Sequence, residues 1–218
     1  MTRGEGLPVH YQIFDPSNPM HLECAEVLVG WRQIHHDKEL ARANTADDVI
    51  PAMLPLDLDA HAVGIMVFEA GDSADAGAQT LRSYNAVRDV YYDDRAIEIG
   101  GLITEPAEGQ VKEKRGWAWA VKPQLYRVIG ERWPGWRMLI FANAKSLRMN
   151  AKMGFTAVSG VLPAEALAAC KGCPNFARQQ EQGRTCCDTQ IELEATPENL
   201  KTASDFAIAS ARRYGINI

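Results

Sequence analysis

Short apolar runs and helical spacings alternate along this chain and predict a fold of mixed strands and helices. Continuous or alternating apolar stretches predict β-strands, which we expect at 9–14, 62–70, 80–92, 96–104, 137–143, 155–161 and 188–195. Apolar residues three and four apart predict helices, which we expect at 20–42, from about 120, at 145–153 and at 197–213, with a short helix or irregular segment at 46–54. This order predicts an α+β or α/β fold whose mostly antiparallel sheet has a parallel step near its middle.

Composition narrows the class of protein. The chain has 218 residues, 46% of them hydrophobic, and a formal net charge of −5. These values predict one domain with a sizeable core. The acidic balance and the lack of a basic stripe with interleaved aromatics argue against a nucleic-acid partner. No apolar run approaches the roughly 18–20 residues of a membrane span, and the first residues lack a signal-peptide core. We therefore expect a cytoplasmic protein with no membrane partner.

The cysteines are unevenly distributed. Cys24 stands alone, whereas Cys170, Cys173, Cys186 and Cys187 fall within one short stretch. The C-x-x-C spacing of the first pair lets two thiolates reach one ion, and four thiolates could close a tetrahedral zinc site. Because neighbouring side chains in a strand point apart, the adjacent second pair fits this geometry less well. Structural zinc, packed free thiols and a disulfide or redox pair all stay open as interpretations.

The segment Arg-Gly-Trp-Ala-Trp-Ala, residues 115–120, lies between a predicted strand and a predicted helix. Its alternating small residues allow the backbone to approach a ligand. The N-terminus of a helix presents unpaired N–H groups that suit a phosphate, and Lys112, Lys114 and Arg115 add positive charge. The alternative is an ordinary helix start with a solvated charge run, in which the two tryptophans pack in the core rather than against a ligand.

Residues 96–156 resemble the GNAT superfamily of acyl-coenzyme A-dependent N-acyltransferases. Residues 96–104 are similar to the fourth strand of that family, and residues 115–120 to its pyrophosphate loop R-G-x-G-x-G/A. Residues 143–155 resemble its segment N-x-x-S-x-R-x-x-x-K-x-G-F, which is the most specific match because it fixes several positions at set spacing. The resemblance implies a single α+β domain whose central sheet, flanked by helices, is splayed to hold CoA.

On this resemblance, residues 1–218 form one GNAT-like domain with a cysteine-rich insertion at about 165–188. The implied activity is transfer of an acetyl group from acetyl-CoA to a primary amine of a small molecule or protein, by direct attack. Main-chain groups near the end of the fourth strand would polarise the thioester carbonyl, and the loop amides would hold the pyrophosphate. The implied cosubstrate contacts are Ile103, Thr104, Arg115, Gly116, Trp117, Ala118, Trp119, Ala120, Asn143 and Ser146. Dimers are common for such domains, so a homodimer is also an expectation.

Two residues are candidates for catalysis. Glu98 is an isolated carboxylate in an apolar strand, where its pKa should be raised, and the family often places a base on this strand. The alternative is that strand alternation simply turns Glu98 to solvent. Asn150 stands where many members of the family carry the tyrosine that protonates the departing thiolate. An asparagine cannot act as an acid at neutral pH, although its amide could hydrogen-bond the sulfur. Asn150 therefore favours a second hypothesis, a CoA-binding or regulatory module with weak or no turnover.

Overall fold

The computed structural model describes residues 7–37, 63–70, 79–106, 116–142, 144–158, 181 and 189–218. Within these residues the strands form one eight-stranded sheet in the order β6-β7-β5-β4-β3-β2-β1-β8. The strands are β1 (Leu7–Ile13), β2 (Val63–Ala70), β3 (Gln79–Tyr91), β4 (Ala96–Thr104), β5 (Arg137–Ala142), β6 (Thr156–Ala157), β7 (Thr189–Glu194) and β8 (Ile216–Asn217).

The helices cover both faces of this sheet. They are α1 (Pro19–Asp37), α2 (Trp117–Ala120), α3 (Lys122–Arg132), α4 (Ala144–Ala151) and α5 (Pro197–Arg212). Only Val121 separates α2 from α3. Pro123 is the second residue of α3 and lies in its first turn, where a missing amide costs no hydrogen bond. Thr196 caps the N-terminus of α5, because its side chain accepts a hydrogen bond from the Asn199 amide at 3.2 Å.

The sheet is mostly antiparallel, and β4 and β5 form the parallel step predicted near its middle. The predicted mixed α+β class is therefore confirmed. A second parallel pair joins β8 to β1 at the edge of the sheet, and the sequence pattern did not predict it, because two residues carry no periodicity. The segment at 46–54 lies outside the described residues, as does most of the stretch between 159 and 188.

Two clusters of buried residues lie on opposite faces of the sheet. The larger joins β-strand side chains such as Ile97 and Ile99 to Leu125 and Ile129 of α3 and to α5. The smaller joins Leu28 of α1 to the other face. No helix among the described residues is long and apolar enough to cross a membrane.

Candidate functional site

Strands β4 and β5 lie side by side for only part of their length. Ala96 to Glu98 pair in parallel with Arg137 to Leu139. Beyond Glu98, β4 continues to Thr104 and stays paired with β3, while β5 continues to Ala142 and stays paired with β7. Past Glu98 the described residues of the two strands are no longer paired with each other, so a gap opens in the middle of the sheet. The main-chain groups along this gap are left without the ladder partner that a neighbouring strand would supply.

A β-bulge lies on β4 inside this gap. Tyr84 pairs with Ile103 and Ala86 with Gly100, so Gly101 and Leu102 together face the single residue between them on β3. Gly101 has a φ of +65°, a left-handed conformation that favours glycine. The bulge therefore bends β4 where it borders the gap. The bulge was not predicted, although a glycine pair inside an apolar strand, as at 100–101, is a sequence signal typical of one.

The two backbone positions predicted to polarise a carbonyl, Ile103 and Thr104, lie just beyond this bulge. The Ile103 side chain is buried in the cluster beneath α1, and its carbonyl accepts a hydrogen bond from Ser83 Oγ at 3.2 Å. Thr104 is half-buried and pairs with Ser83 across the ladder. Both residues belong to the part of β4 that borders the gap.

Glu98 is the last residue of β4 to pair with β5, and only 9% of it is exposed. The interpretation that strand alternation turns it to solvent is therefore wrong. Its neighbours Ile97 and Ile99 lie in the larger core cluster, so Glu98 points to the opposite face, the side of α1. There Tyr91 donates a hydrogen bond to the carboxylate at 3.2 Å, and the Arg88 guanidinium lies 3.5 Å away.

The pKa of Glu98 is raised above its ordinary value. Burial is the largest cause, Asp89 adds to it, and Arg88 and the Tyr91 hydroxyl oppose it. A buried carboxylate with a raised pKa binds a proton more readily than an exposed one. Glu98 thus has the environment of a general base at the point where the gap begins.

Gly116 turns the chain into α2. Its φ of +69° is left-handed, and a Cβ atom added there would lie 2.7 Å from the Cβ of Tyr214. Both the backbone and the close packing of the C-terminal segment therefore require glycine. Helix α2 packs against β3, β4 and α5, so its start lies beside the strand that borders the gap. The amides of Trp119 and Ala120 donate to the Gly116 carbonyl at 2.9 and 3.3 Å. Within the described residues, the main-chain donors that suit an anion at this helix start are therefore those of 116–118.

The two tryptophans of this segment pack inward. Trp117 is 4% exposed in the larger cluster, and the Arg82 guanidinium lies 6.0 Å from the centre of its ring. Trp119 is half-buried and meets the Phe206 ring edge-on at 5.6 Å. Ala120 is fully buried, and its carbonyl accepts a hydrogen bond from the Tyr11 hydroxyl at 3.0 Å. These side chains fill the core, so a ligand at this segment would meet mainly main chain and Ala118.

Helix α4 follows β5 and packs against it. Asn150 is 1% exposed, and its Nδ2 donates to the carbonyl of the half-buried Ser146 at 2.8 Å. Its Oδ1 is buried and has no hydrogen-bond partner among the residues that the structure describes. A buried unpaired acceptor costs about 1–3 kcal/mol. Asn150 thus offers a free acceptor and has no acidic proton. The matching residues Arg148 and Lys152 are exposed.

Comparison with protein-family profiles and with curated protein sequences finds no match. Solved structures do match. FeeM, an N-acyl amino acid synthase from uncultured soil microbes, has a TM-score of 0.55 at 11% identity over 88% of this chain and 92% of its own. Apo FdhC, a nucleotide-linked sugar GNAT, has a TM-score of 0.51 at 10% identity, and the match covers 97% of each chain. An acyl-CoA N-acyltransferase from Pseudomonas aeruginosa has a TM-score of 0.51 at 15% identity, and the match covers 84% of this chain and 98% of its own. This chain has the GNAT fold.

Within the GNAT fold the segments matched by sequence lie around one gap. The matched fourth strand is β4, the loop-like segment opens α2, and α4 lies on the opposite side beside β5. Two of the predicted contacts, Arg115 and Asn143, lie outside the described residues. The predicted roles of the others stay predictions, since the fold places them without showing a ligand.

The predicted zinc site also lies outside the described residues, because Cys170, Cys173, Cys186 and Cys187 all do. Cys24 is half-buried and free, and burial raises the pKa of its thiol. Among the residues that the structure describes, no group of three or more histidine, cysteine, aspartate or glutamate side chains could hold a metal. Zinc therefore stays a prediction.

Gly116→Ala should destabilise this GNAT fold more than Gly135→Ala does. Gly135 also has a left-handed φ, of +73°, but open space surrounds its added Cβ. A left-handed alanine costs roughly 1–2 kcal/mol, and the contact with Tyr214 should add about 1–3 kcal/mol. Urea denaturation of the two variants checks this difference. Equal losses would show that the C-terminal segment moves aside freely.

Proposed function

We propose that this protein is an acyl-CoA-dependent N-acyltransferase. One observation carries the proposal: β4 and β5 pair only as far as Glu98 and Leu139 and then diverge, with a helix start beside one strand and α4 beside the other. A gap between parallel strands offers unpaired main-chain groups to an extended amide-containing chain such as pantetheine. The acyltransferases among the solved structures of this fold support the same assignment.

The cosubstrate would run along this gap. Within the segment 116–120, the main-chain amides of 116–118 would hold its diphosphate together with Arg115, because those of Trp119 and Ala120 donate to the Gly116 carbonyl. Main-chain groups around the bulge and on to Ile103 and Thr104 would bind pantetheine and polarise the thioester carbonyl. Ser146, in the first turn of α4, would contact the cosubstrate from the other side of the gap, and so would Asn143, which precedes this helix in the sequence.

Glu98 would act as the general base, through a water molecule, on the acceptor amine. The amine nitrogen attacks the carbonyl carbon of the thioester, and the resulting tetrahedral intermediate collapses as the C–S bond breaks. The amine proton passes to Glu98, and the thiolate of CoA leaves. The second N–H of Asn150 Nδ2, beyond the one donated to the Ser146 carbonyl, would donate a hydrogen bond to the sulfur of the leaving thiolate, and the thiolate would take its proton from solvent.

The finer proposal is an N-acetyltransferase that uses acetyl-CoA and a primary amine of a small molecule or protein. Calorimetric titration with acetyl-CoA and CoA tests cosubstrate binding, and thiol release in the presence of a panel of amines tests turnover. We expect saturable one-to-one binding and amine-dependent release of CoA. Absence of binding to either nucleotide would contradict the proposal. Metal content measured on the same sample tests the predicted zinc site.

Asn150 keeps a second candidate function open, a GNAT-fold protein that holds CoA as a binding or regulatory module. Its Oδ1 has no hydrogen-bond partner in the described part of the chain, and its amide has no acidic proton to give to a leaving thiolate. This candidate predicts tight binding of CoA with no thiol release for any amine. It also predicts that Glu98→Gln leaves CoA binding unchanged.

A further inference from the structure

Lys122, the first residue of α3, is a buried lysine whose ammonium has no partner among the described residues. Only 2% of it is exposed, and no ion pair or hydrogen bond to its ammonium is found within the described part of the chain. Burial alone lowers its pKa, to about 8. Lysine is almost never fully buried without a partner, because a buried charge loses its hydration and, when it is unpaired, no other interaction compensates for that cost. The fold therefore keeps a cation in a place where the described protein groups do not use it.

The helix geometry shows which way this side chain faces. Lys122 lies one turn after Ala118 and one turn before Tyr126, so the three share a face. Tyr126 is buried, and its hydroxyl contacts the Met153 sulfur at 3.3 Å, just beyond α4. This face of the helix is therefore turned toward the α4 side of the gap. Side chains on a helix lean toward its N-terminus and cover the preceding turn, so we expect the Lys122 side chain to lean toward the turn that contains Ala118.

We propose that the Lys122 ammonium binds the diphosphate of the acyl-CoA cosubstrate, and that cosubstrate binding transfers a proton from solvent to this side chain. The inference rests on the proposed function, and it adds a cation to the main-chain amides that we assign to the diphosphate. A bound dianion favours the charged form of a neighbouring lysine. Near pH 8 the side chain without ligand is partly neutral, so the proton taken up on binding comes from the buffer.

Glu98, at the start of the gap, also has a shifted pKa, but its side chain lies on the opposite face of the sheet from α3, and comparison with Lys122→Met subtracts any proton uptake there. Tyr126 shares the face of Lys122, and burial raises its pKa so far that it stays neutral. The elements packed against α3 are α2, α5 and β3. From α5, Leu200, Ala203 and Ala207 enter the shared apolar cluster, and from β3 Val87 does. None of the charged groups among the described residues contributes to the pKa of Lys122.

The binding test compares Lys122→Met with Lys122→Arg by calorimetry at pH 7. Methionine keeps the length and removes the charge, whereas arginine keeps the charge. We expect Lys122→Met to weaken acetyl-CoA binding by about tenfold to a hundredfold, the usual worth of a hydrogen bond to a charged group, and Lys122→Arg to stay within about threefold. S-acetylpantetheine, which has no phosphate, should bind both variants and the wild type equally.

The proton test uses the unmodified protein. Acetyl-CoA has no free thiol to titrate, so its binding at pH 8.5 in two buffers of different ionisation enthalpy reports proton uptake by the protein. We expect the wild type to take up a fraction of a proton per acetyl-CoA, and Lys122→Met to take up none. Equal uptake in both proteins would overturn the proposal.

The remaining outcomes also separate the hypotheses. Unchanged acetyl-CoA binding in Lys122→Met overturns the role of Lys122 and leaves the proposed function standing. Failure of the wild type to bind acetyl-CoA overturns both. A purely structural lysine predicts a lower Tm with unchanged affinity. For Lys122→Met we expect a lower affinity with an unchanged or higher Tm, because replacing an unpaired buried charge with an apolar side chain is neutral or stabilising.

Discussion

Glu98→Gln should lower kcat by about a hundredfold to a thousandfold, within the usual contribution of a general base, and leave the Kd for acetyl-CoA within about twofold. Glutamine keeps the size and the hydrogen-bonding reach of the side chain but cannot accept the amine proton. The measurement is steady-state thiol release with a saturating amine, alongside calorimetric titration of acetyl-CoA. Full activity in this variant would remove Glu98 from the mechanism.

The pH dependence of kcat tests the role of Glu98 independently, because substitutions at two neighbouring residues should shift it in opposite directions. Asp89 raises the pKa of Glu98, and the Tyr91 hydroxyl lowers it. The base must be ionised, so kcat should rise with pH through the raised pKa of Glu98. Asp89→Asn should move this acid limb to lower pH, and Tyr91→Phe should move it to higher pH. If the limb belongs to the amine substrate instead, neither variant will move it.

As the pH rises, Glu98→Gln should gain stability relative to the wild type, although it loses activity. Its folded-state pKa lies above the ordinary glutamate value, so the wild type loses stability as pH rises from below that value through the raised one. Glutamine carries no such charge. The free energy of unfolding of Glu98→Gln, relative to wild type, should therefore improve between about pH 4 and pH 7. A uniform loss at both pH values would indicate general damage to the fold.

The sequence predicted the centre of this fold better than its edges. The bounds of β4 agree with its apolar run to the residue, because turn-forming residues flank a continuous buried strand. The parallel step was also predicted from the order of elements. Strand β8 was missed because its two residues are held by pairing with β1 and by the packing of Tyr214 near Gly116. Both contacts join distant parts of the chain.

In the candidate site, too, the sequence indicated the features that depend on local pattern and missed those that depend on tertiary packing. The small residues at 116–120 indicated a close approach of main chain, and the apolar neighbours of Glu98 indicated its raised pKa. The sequence left the facing of Glu98 open, because alternation alone does not say whether the second face of a sheet is covered. Lys122 gave no signal at all. A lysine at the start of a helix is normally solvated, and only tertiary packing shows that this face is closed.

Ala118→Glu should weaken acetyl-CoA binding at least tenfold more than Ala118→Gln does. Ala118 is half-buried in the turn of α2 that precedes Lys122. A glutamate there has its carboxylate beside the first amides of the helix and one turn before the lysine, an arrangement that favours an ion pair. It would compete for the groups that we assign to the diphosphate and would repel the dianion. Calorimetric titration of both variants measures the difference.

The glutamine variant controls for size and helix propensity, in which the two residues are nearly equal. Because the difference between the variants is electrostatic, it should shrink as salt rises and screens the charges. A steric effect would persist at every ionic strength. If both variants bind acetyl-CoA as the wild type does, the diphosphate lies elsewhere, and the assignment of 116–120 fails even if the gap between β4 and β5 still binds pantetheine. A substitution at Ala118 tests this more cleanly than one at Gly116, because a side chain at Gly116 meets Tyr214 before it meets a ligand.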